Sequence, residues 1–205
     1  MKNLYDRDYF ECGIESGKSC YSNYRWIPEL TIPMAFRLIE YLNILPSDKI
    51  LDFGCAKGYL VKTFRLLYRE AFGYDISDYA RATAPEDIKN YILDDYHTEN
   101  YDWVISKDVF EHIPYEEIDD TIKSLSIVAK KIFCVVPLGE NNRYVIPAYE
   151  LDATHIIREN LHWWENRFME NGLKVQVACY KVKHIKENWE SYEKGNGFFI
   201  LSSNR

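Results

Sequence analysis

The residues most able to do chemistry form a short acidic and glycine-rich stretch, Leu51-Asp52-Phe53-Gly54-Cys55-Ala56-Lys57-Gly58-Tyr59-Leu60. Its glycines allow tight backbone approach to a ligand, and its amides point toward the start of a following helix, where polar and anionic groups bind. Asp75 ends the next apolar run, Ala71-Phe72-Gly73-Tyr74-Asp75, where a carboxylate can accept hydrogen bonds from two ribose hydroxyls. Together these residues point to an adenosine-containing ligand. The nicotinamide fingerprint needs glycine at positions 56 and 59, but Ala56 and Tyr59 stand there. A Walker loop would continue from Gly58 into Lys-Ser/Thr, and Tyr59 follows instead. Both fail.

The elements that must position these groups alternate along the chain. Ala35, Leu38, Ile39, Leu42 and Leu45 fall at helical spacing after Pro33, and Pro46 stops the run. Lys49–Phe53 reads as a strand, and Leu60, Val61, Phe64, Leu67 and Tyr68 as one face of the next helix. Strands follow at Ala71–Asp75, Tyr91–Leu93 and Trp103–Ser106, with Ser77 as a helix cap. A helical stripe then covers Ile118, Ile122, Leu125 and Ala129. Ile132–Val136 is apolar throughout, as a strand buried on both faces requires. Leu161–Glu170 reads as a helix, with Gly172 at its end, and Leu173–Val182 and Gly197–Leu201 as closing strands. The expected fold is α/β: a doubly wound, mostly parallel, seven-stranded Rossmann-like sheet whose last strands form an antiparallel hairpin. We read one domain over 1–205, with a core over 34–201 and an aromatic lid over 1–28.

The spacing Asp52-x-Gly54-x-x-x-Gly58 resembles the first motif of class I S-adenosylmethionine-dependent methyltransferases. The resemblance continues through Gly73–Ser77 and through Tyr101–Pro114, which contains Ser106-Lys107-Asp108-Val109-Phe110-Glu111-His112. The Glu111-His112 pair is similar to that of the type 11/type 12 small-molecule group. This resemblance implies S-adenosyl-L-methionine as cofactor. Asp52, Gly54 and Gly58 would shape its methionine side, with Cys55 and Ala56 between them and Ala56 contributing only its backbone. Asp75 would hold the ribose beside Ile76, and Asp94 or Asp95 would face the adenine amino group. Ser106, Lys107 and Asp108 would line the floor near the sulfonium. Many family members carry glycine where Ala56 stands.

Methyl transfer needs in-line alignment first, and a hydroxyl acceptor also gains from a positioned base. His97 and His184 lie in polar stretches and read as solvated, and His162 beside Trp163-Trp164 reads as packing. His155, beyond the fifth strand in Leu151-Asp152-Ala153-Thr154-His155, is the first choice for the base. The competing role for His155 is a hydrogen bond that orders its loop. Asp108 and His112 come next. No fixed ligand spacing supports a divalent metal at Asp108, Asp152 or His155, so none is expected.

Composition narrows the acceptor. Twenty-five Lys and Arg against 32 Asp and Glu leave a net charge of −7, which repels phosphate backbones, so nucleic acid is not expected. The target motifs of adenine-N6 and cytosine-C5 DNA enzymes are absent, since Ser106-Lys107-Asp108-Val109 and Pro137-Leu138 occupy their places. Aromatic residues reach 16% and crowd into Tyr5–Trp26 and the C-terminal third, enough to wall a pocket for a small-molecule or glycan acceptor. O-methylation of a sugar hydroxyl is the expected reaction. The alternatives are a non-sugar small metabolite or a non-catalytic cofactor-binding partner subunit. Five cysteines without a CxxC pair, no signal-like N-terminus and no membrane-length apolar run point to a cytoplasmic protein off the membrane. The oligomeric state is open.

Overall fold

The computed structural model describes residues 2–186 and 191–203. Met1 of the expected lid, residues 187–190 of the polar loop before the last strand, and residues 204–205 lie outside the described residues. Helices α1 (Arg7–Glu11), α2 (Gly13–Ser16) and α3 (Pro28–Leu42) precede strand β1 (Lys49–Phe53). Then come α4 (Tyr59–Leu66), β2 (Glu70–Tyr74), α5 (Asp78–Ala82), β3 (Ile92–Leu93) and β4 (Tyr101–Lys107). The chain continues through α6 (Ile118–Val128), β5 (Ala129–Pro137), and the two-residue strands β6 (Gly139–Glu140) and β7 (Arg143–Tyr144). It closes with α7 (Leu161–Glu170), β8 (Lys174–Cys179) and β9 (Asn196–Ser202).

Seven strands form one sheet in the order β3-β2-β1-β4-β5-β9-β8. The first five are parallel, and β9 runs antiparallel to both β5 and β8. This is the expected doubly wound sheet. The closing hairpin has one unforeseen feature: its second strand, β9, inserts beside β5 and leaves β8 at the edge. Ile50 and Leu51 are adjacent in β1 but pack into opposite core layers, as the two-residue strand period demands. The layer under Leu51 is roofed by α6 and α7, and the layer under Ile50 by α3 and α4. Strand order reverses between β1 and β4, and open α/β sheets bind ligands at such a crevice.

Three local readings need correction. Helix α3 begins at Pro28, which takes the first helical position where no amide bond is needed, and runs on through Pro33, which gives up the bond its amide would make to the Glu29 carbonyl. Tyr68 leaves the α4 face: the helix ends at Leu66, and Tyr68 turns outward at φ +55° with 89% exposure. The 139–144 stretch, unassigned from sequence, is a β6–β7 hairpin with Asn141 and Asn142 at φ +52° and +62°. Two consecutive asparagines are a recognisable signal for that turn.

The N-terminal segment has local order that its pattern hides, because α1 and α2 are too short to show periodicity. Asp6 caps α1 by accepting from the Tyr9 amide at 3.1 Å. Tyr9 and Phe10 are buried and form a small cluster with Ala80, flanked by Tyr5, Tyr24, Ala56 and Tyr79. No helix among the described residues is long and apolar enough to cross a membrane.

Candidate active site

The turn after β1 is built by close approach. Gly54 sits at φ +78°, and a Cβ there would lie 2.4 Å from Val109 Cγ2, so the end of β4 already demands glycine. Gly58, at φ +77°, would meet Ile88 and Ile92 in the same way. Ala56 is also left-handed, at φ +50°, which explains why glycine suits this position; alanine there costs about 1 kcal/mol. Its amide donates to Asp75 Oδ2 at 2.7 Å, and the Ser77 amide donates to Oδ1 at 2.8 Å. Asp75 thus locks the first glycine turn to the second strand. Burial holds its carboxyl above the usual range, against the pull of those two amides.

A cavity of about 250 Å³ opens at the carboxyl ends of β1, β2 and β4. Phe53, Gly54, Ala56, Asp75 and Ile76 line it, together with Asp108, Val109 and His112 from the chain after β4. Tyr5, Tyr9, Phe10 and Tyr21 of the N-terminal segment wall it too. Glu11 anchors this segment by accepting from Lys57 Nζ and from Tyr79 Oη at 2.9 Å. The Tyr5 carbonyl accepts from Ser77 Oγ, and Tyr9 Oη donates to Asp152 Oδ2 at 3.0 Å.

The other expected cofactor residues stand behind this wall or away from it. Cys55, Gly58, Ser106 and Lys107 are not among the lining residues. Asp95 instead caps its own turn, accepting from the His97 amide at 2.9 Å and contacting the His97 ring. The Asp94 side chain is 98% exposed, 3.7 Å from Arg81. The residue of this stretch that reaches the cavity is Tyr96, which the sequence reading passed over.

Asp52 is buried beneath the turn, and desolvation, reinforced by the charge of Asp75, pushes its carboxyl up to about 7. A folded-state value above the ordinary 3.8 means that this acid favours the native state below that pH, and the contribution is lost as pH rises to about 7. The stability of Asp52→Asn relative to wild type should therefore climb with pH, by up to ~4 kcal/mol. Thermal melts from pH 4 to 8 read this; a constant difference across the range would contradict it.

After β4, Asp108 adopts φ +58° and is clasped by Lys107 and Lys186, which hold its carboxyl below the usual range despite burial. Lys186 comes from the polar segment after β8, and no sequence signal singled it out. Glu111 follows with 0% exposure, and neither carboxylate oxygen has a hydrogen-bond partner among the described residues. Its backbone carbonyl accepts from the Ile156 and Ile157 amides at 2.7 and 3.0 Å, which pins the His155 loop beside it.

His112 and His155 meet here, with ring centroids 4.6 Å apart. His112 Nδ1 donates to Thr154 Oγ1 at 2.8 Å, and the Thr154 hydroxyl donates to Asp152 Oδ1 at 2.6 Å. His155 Nδ1 donates to the Tyr149 carbonyl at 2.8 Å. Burial lowers both histidines, His112 to about 4, so both are neutral at pH 7. His112 reaches the cavity wall and His155 stands behind it, the reverse of the order expected from sequence. His155 also makes the loop-ordering bond that was its competing role. His162 does not pack: its side chain is 78% exposed.

Comparison with known proteins agrees with this architecture. Residues 31–177 match the family model described as "Methyltransferase domain". The chain belongs to that family, and its motifs and fold make it a class I S-adenosylmethionine-dependent methyltransferase. A protein-L-isoaspartate O-methyltransferase of Helicobacter pylori is 24% identical over 156 residues, covering 73% of this chain and 66% of that protein. The chain thus spans just under two thirds of that curated relative's length. Magnesium protoporphyrin IX methyltransferase from Synechocystis, solved with bound SAH, superposes with a TM-score of 0.64 at 14% identity over 100% of both chains. A chain from the Haloferax volcanii complex of the Trm112 activator with a methyltransferase reaches 0.67 at 15% identity, covering 87% of this chain and 92% of that one. These structural likenesses concern the fold.

Proposed function

We propose that the cavity holds S-adenosylmethionine with its ribose on Asp75 and its methionine end against the Gly54–Gly58 turn, and that the methyl group passes to a hydroxyl of a small polar acceptor. A sugar hydroxyl, free or on a glycan, is the preferred acceptor: aromatic rings stack on pyranose C–H faces, and Tyr5, Tyr9, Phe10 and Tyr21 supply such rings. The observation that carries this reading is one continuous wall. It includes both a carboxylate suited to a ribose, Asp75, and an imidazole, His112. The reaction forms an O–CH3 bond as the S–CH3 bond breaks, leaving a thioether, and the hydroxyl proton must leave. His112 is the member of the Glu111–His112–His155 cluster that lines the cavity, so it would take that proton, and the Asp152–Thr154 relay fixes its ring. Five unpaired cysteines fit the reducing, cytoplasmic setting that this reading assumes.

The test begins with mass spectrometry of ligand retained by the purified chain, followed by an acceptor screen with methyl-labelled cofactor. His112→Ala should keep cofactor affinity and lower turnover about 10²–10⁴-fold. Cofactor binding with no transfer to any acceptor pool would favour the non-catalytic partner-subunit reading. Transfer to carboxylates or amines alone would overturn the hydroxyl assignment.

A further inference from the structure

We propose that Glu111, His112 and His155 bind one divalent transition-metal ion beside the methyl-transfer cavity, and that this ion holds the acceptor oxygen. The ion's role rests on the function proposed above, whereas its binding does not.

One ligand atom from each of the three residues lies within 4.8 Å of the others. Glu111 Oε1 and His155 Nε2 are 4.0 Å apart. Nitrogen and oxygen ligands about 2.1 Å from a tetrahedral ion are about 3.4 Å from one another, so side-chain movements of about 1 Å would close the site.

The hydrogen bonds around the cluster favour a cation. Glu111 is fully buried with both oxygens unpartnered among the described residues, a state costly for any carboxyl group. The nearby lysines give it no hydrogen bond, because Lys107 and Lys186 both clasp Asp108. Each imidazole has its tautomer set from behind. The Tyr149 carbonyl can only accept, so His155 carries its proton on Nδ1. The Thr154 hydroxyl gives its proton to Asp152, so it accepts from His112 Nδ1. Both rings therefore keep Nε2 as the lone-pair nitrogen. A hydrogen bond from the distal N–H to a carbonyl or carboxylate-backed group is the usual support of a metal-binding histidine.

Two imidazoles and one carboxylate suit Zn²⁺, Mn²⁺ or Co²⁺ better than Ca²⁺ or Mg²⁺, which prefer all-oxygen sites. His112 borders the cavity, which leaves one side of the site open to a ligand from there. An acceptor hydroxyl in that position would be polarised by the ion and release its proton to water, so a metal-bound His112 acts as a ligand and the ion takes over the proton-releasing role that falls to its imidazole in the metal-free site. Its oxygen then forms the bond to carbon as the sulfonium's S–C electron pair returns to sulfur. Sequence spacing gave no hint, because His155 joins the Glu111-His112 pair only through the backbone clamp from Ile156 and Ile157.

Chelator-treated full-length protein should take up about one equivalent of Co²⁺ or Zn²⁺ per chain, read by elemental analysis and the Co²⁺ visible spectrum. Thermal shift should rank these ions and Mn²⁺ above Mg²⁺ and Ca²⁺. Glu111→Gln and His155→Gln should each weaken uptake at least ~100-fold, and Thr154→Val, which acts through His112, about 10–100-fold. Melting curves establish that each variant is folded. Asp75→Asn, which damages the cofactor side, should bind metal as wild type does. Absence of saturable uptake, or unchanged uptake in folded Glu111→Gln and His155→Gln, overturns the site. Metal bound as expected with no transfer to hydroxyl acceptors would sink the function reading and leave the site standing.

Discussion

Deletion of residues 1–26 should nearly abolish methyl transfer, by at least ~100-fold, and should also weaken cofactor binding. As an aromatic lid walling only the acceptor pocket, the role read from sequence, the segment could be removed without touching cofactor affinity. The geometry argues otherwise. Tyr5, Tyr9, Phe10 and Tyr21 line the same cavity as Asp75 and Ile76, so under the proposed function the rings would enclose donor and acceptor together. Removal admits water to a reaction that depends on alignment and on a dry, fixed environment. It also strips Glu11 from Lys57, whose side chain is only 8% exposed, and re-exposes the apolar faces that Tyr9 and Phe10 cover. Burial of rings of that size is worth about 1.5–3 kcal/mol each, so some loss of melting temperature is expected too. Calorimetry with the cofactor, labelled-methyl transfer and thermal melts separate the three effects. Wild-type turnover in the truncated chain would remove the segment from the mechanism.

Asp75→Asn should weaken cofactor binding about 10- to 150-fold, the equivalent of ~1.5–3 kcal/mol for hydrogen bonds to a charged acceptor. Asparagine is the informative replacement because Asp75 has a second duty. Its two oxygens accept from the Ala56 and Ser77 amides, and alanine would leave both donors buried without a partner. Each such orphan costs about 1–3 kcal/mol, so Asp75→Ala would lose stability and binding at once. Asparagine keeps one acceptor oxygen but sets an NH2 group against the other amide, so a smaller stability loss remains. Titration calorimetry on protein shown by melting to be folded gives the binding effect alone. Unchanged affinity for S-adenosylmethionine would mean that the ribose lies elsewhere.

Much of the architecture was legible in residue order. Alternation of apolar runs with helical stripes specifies a parallel sheet, since each crossover needs a helix to cover it, and every expected strand of the sheet is present. The glycine turn and Asp75 were legible for a local reason. Positive φ at Gly54 and Gly58, and an acid at the tip of β2, are requirements met within a few residues of chain. The exposed state of Tyr68 was not, because helical spacing cannot tell where a helix stops when a left-handed residue ends it.

What the sequence by itself determined is therefore the sheet, the turn, the carboxylate beside it, and the family that these define. Tertiary structure decided which groups meet across the chain. It brought the N-terminal rings to the cavity that Asp75 lines, through anchors at Lys57, Ser77 and Asp152 that no spacing rule connects. It put His112 ahead of His155 at the cavity, turned Asp95 onto its own helix cap, and brought Lys186 to Asp108. It also left Glu111 buried and unpartnered between two histidines. Backbone conformation is governed by near neighbours and so is written locally. Desolvation, ion pairing and convergence of ligand atoms depend on distances between segments far apart in the chain, and those distances exist only once the sheet has closed.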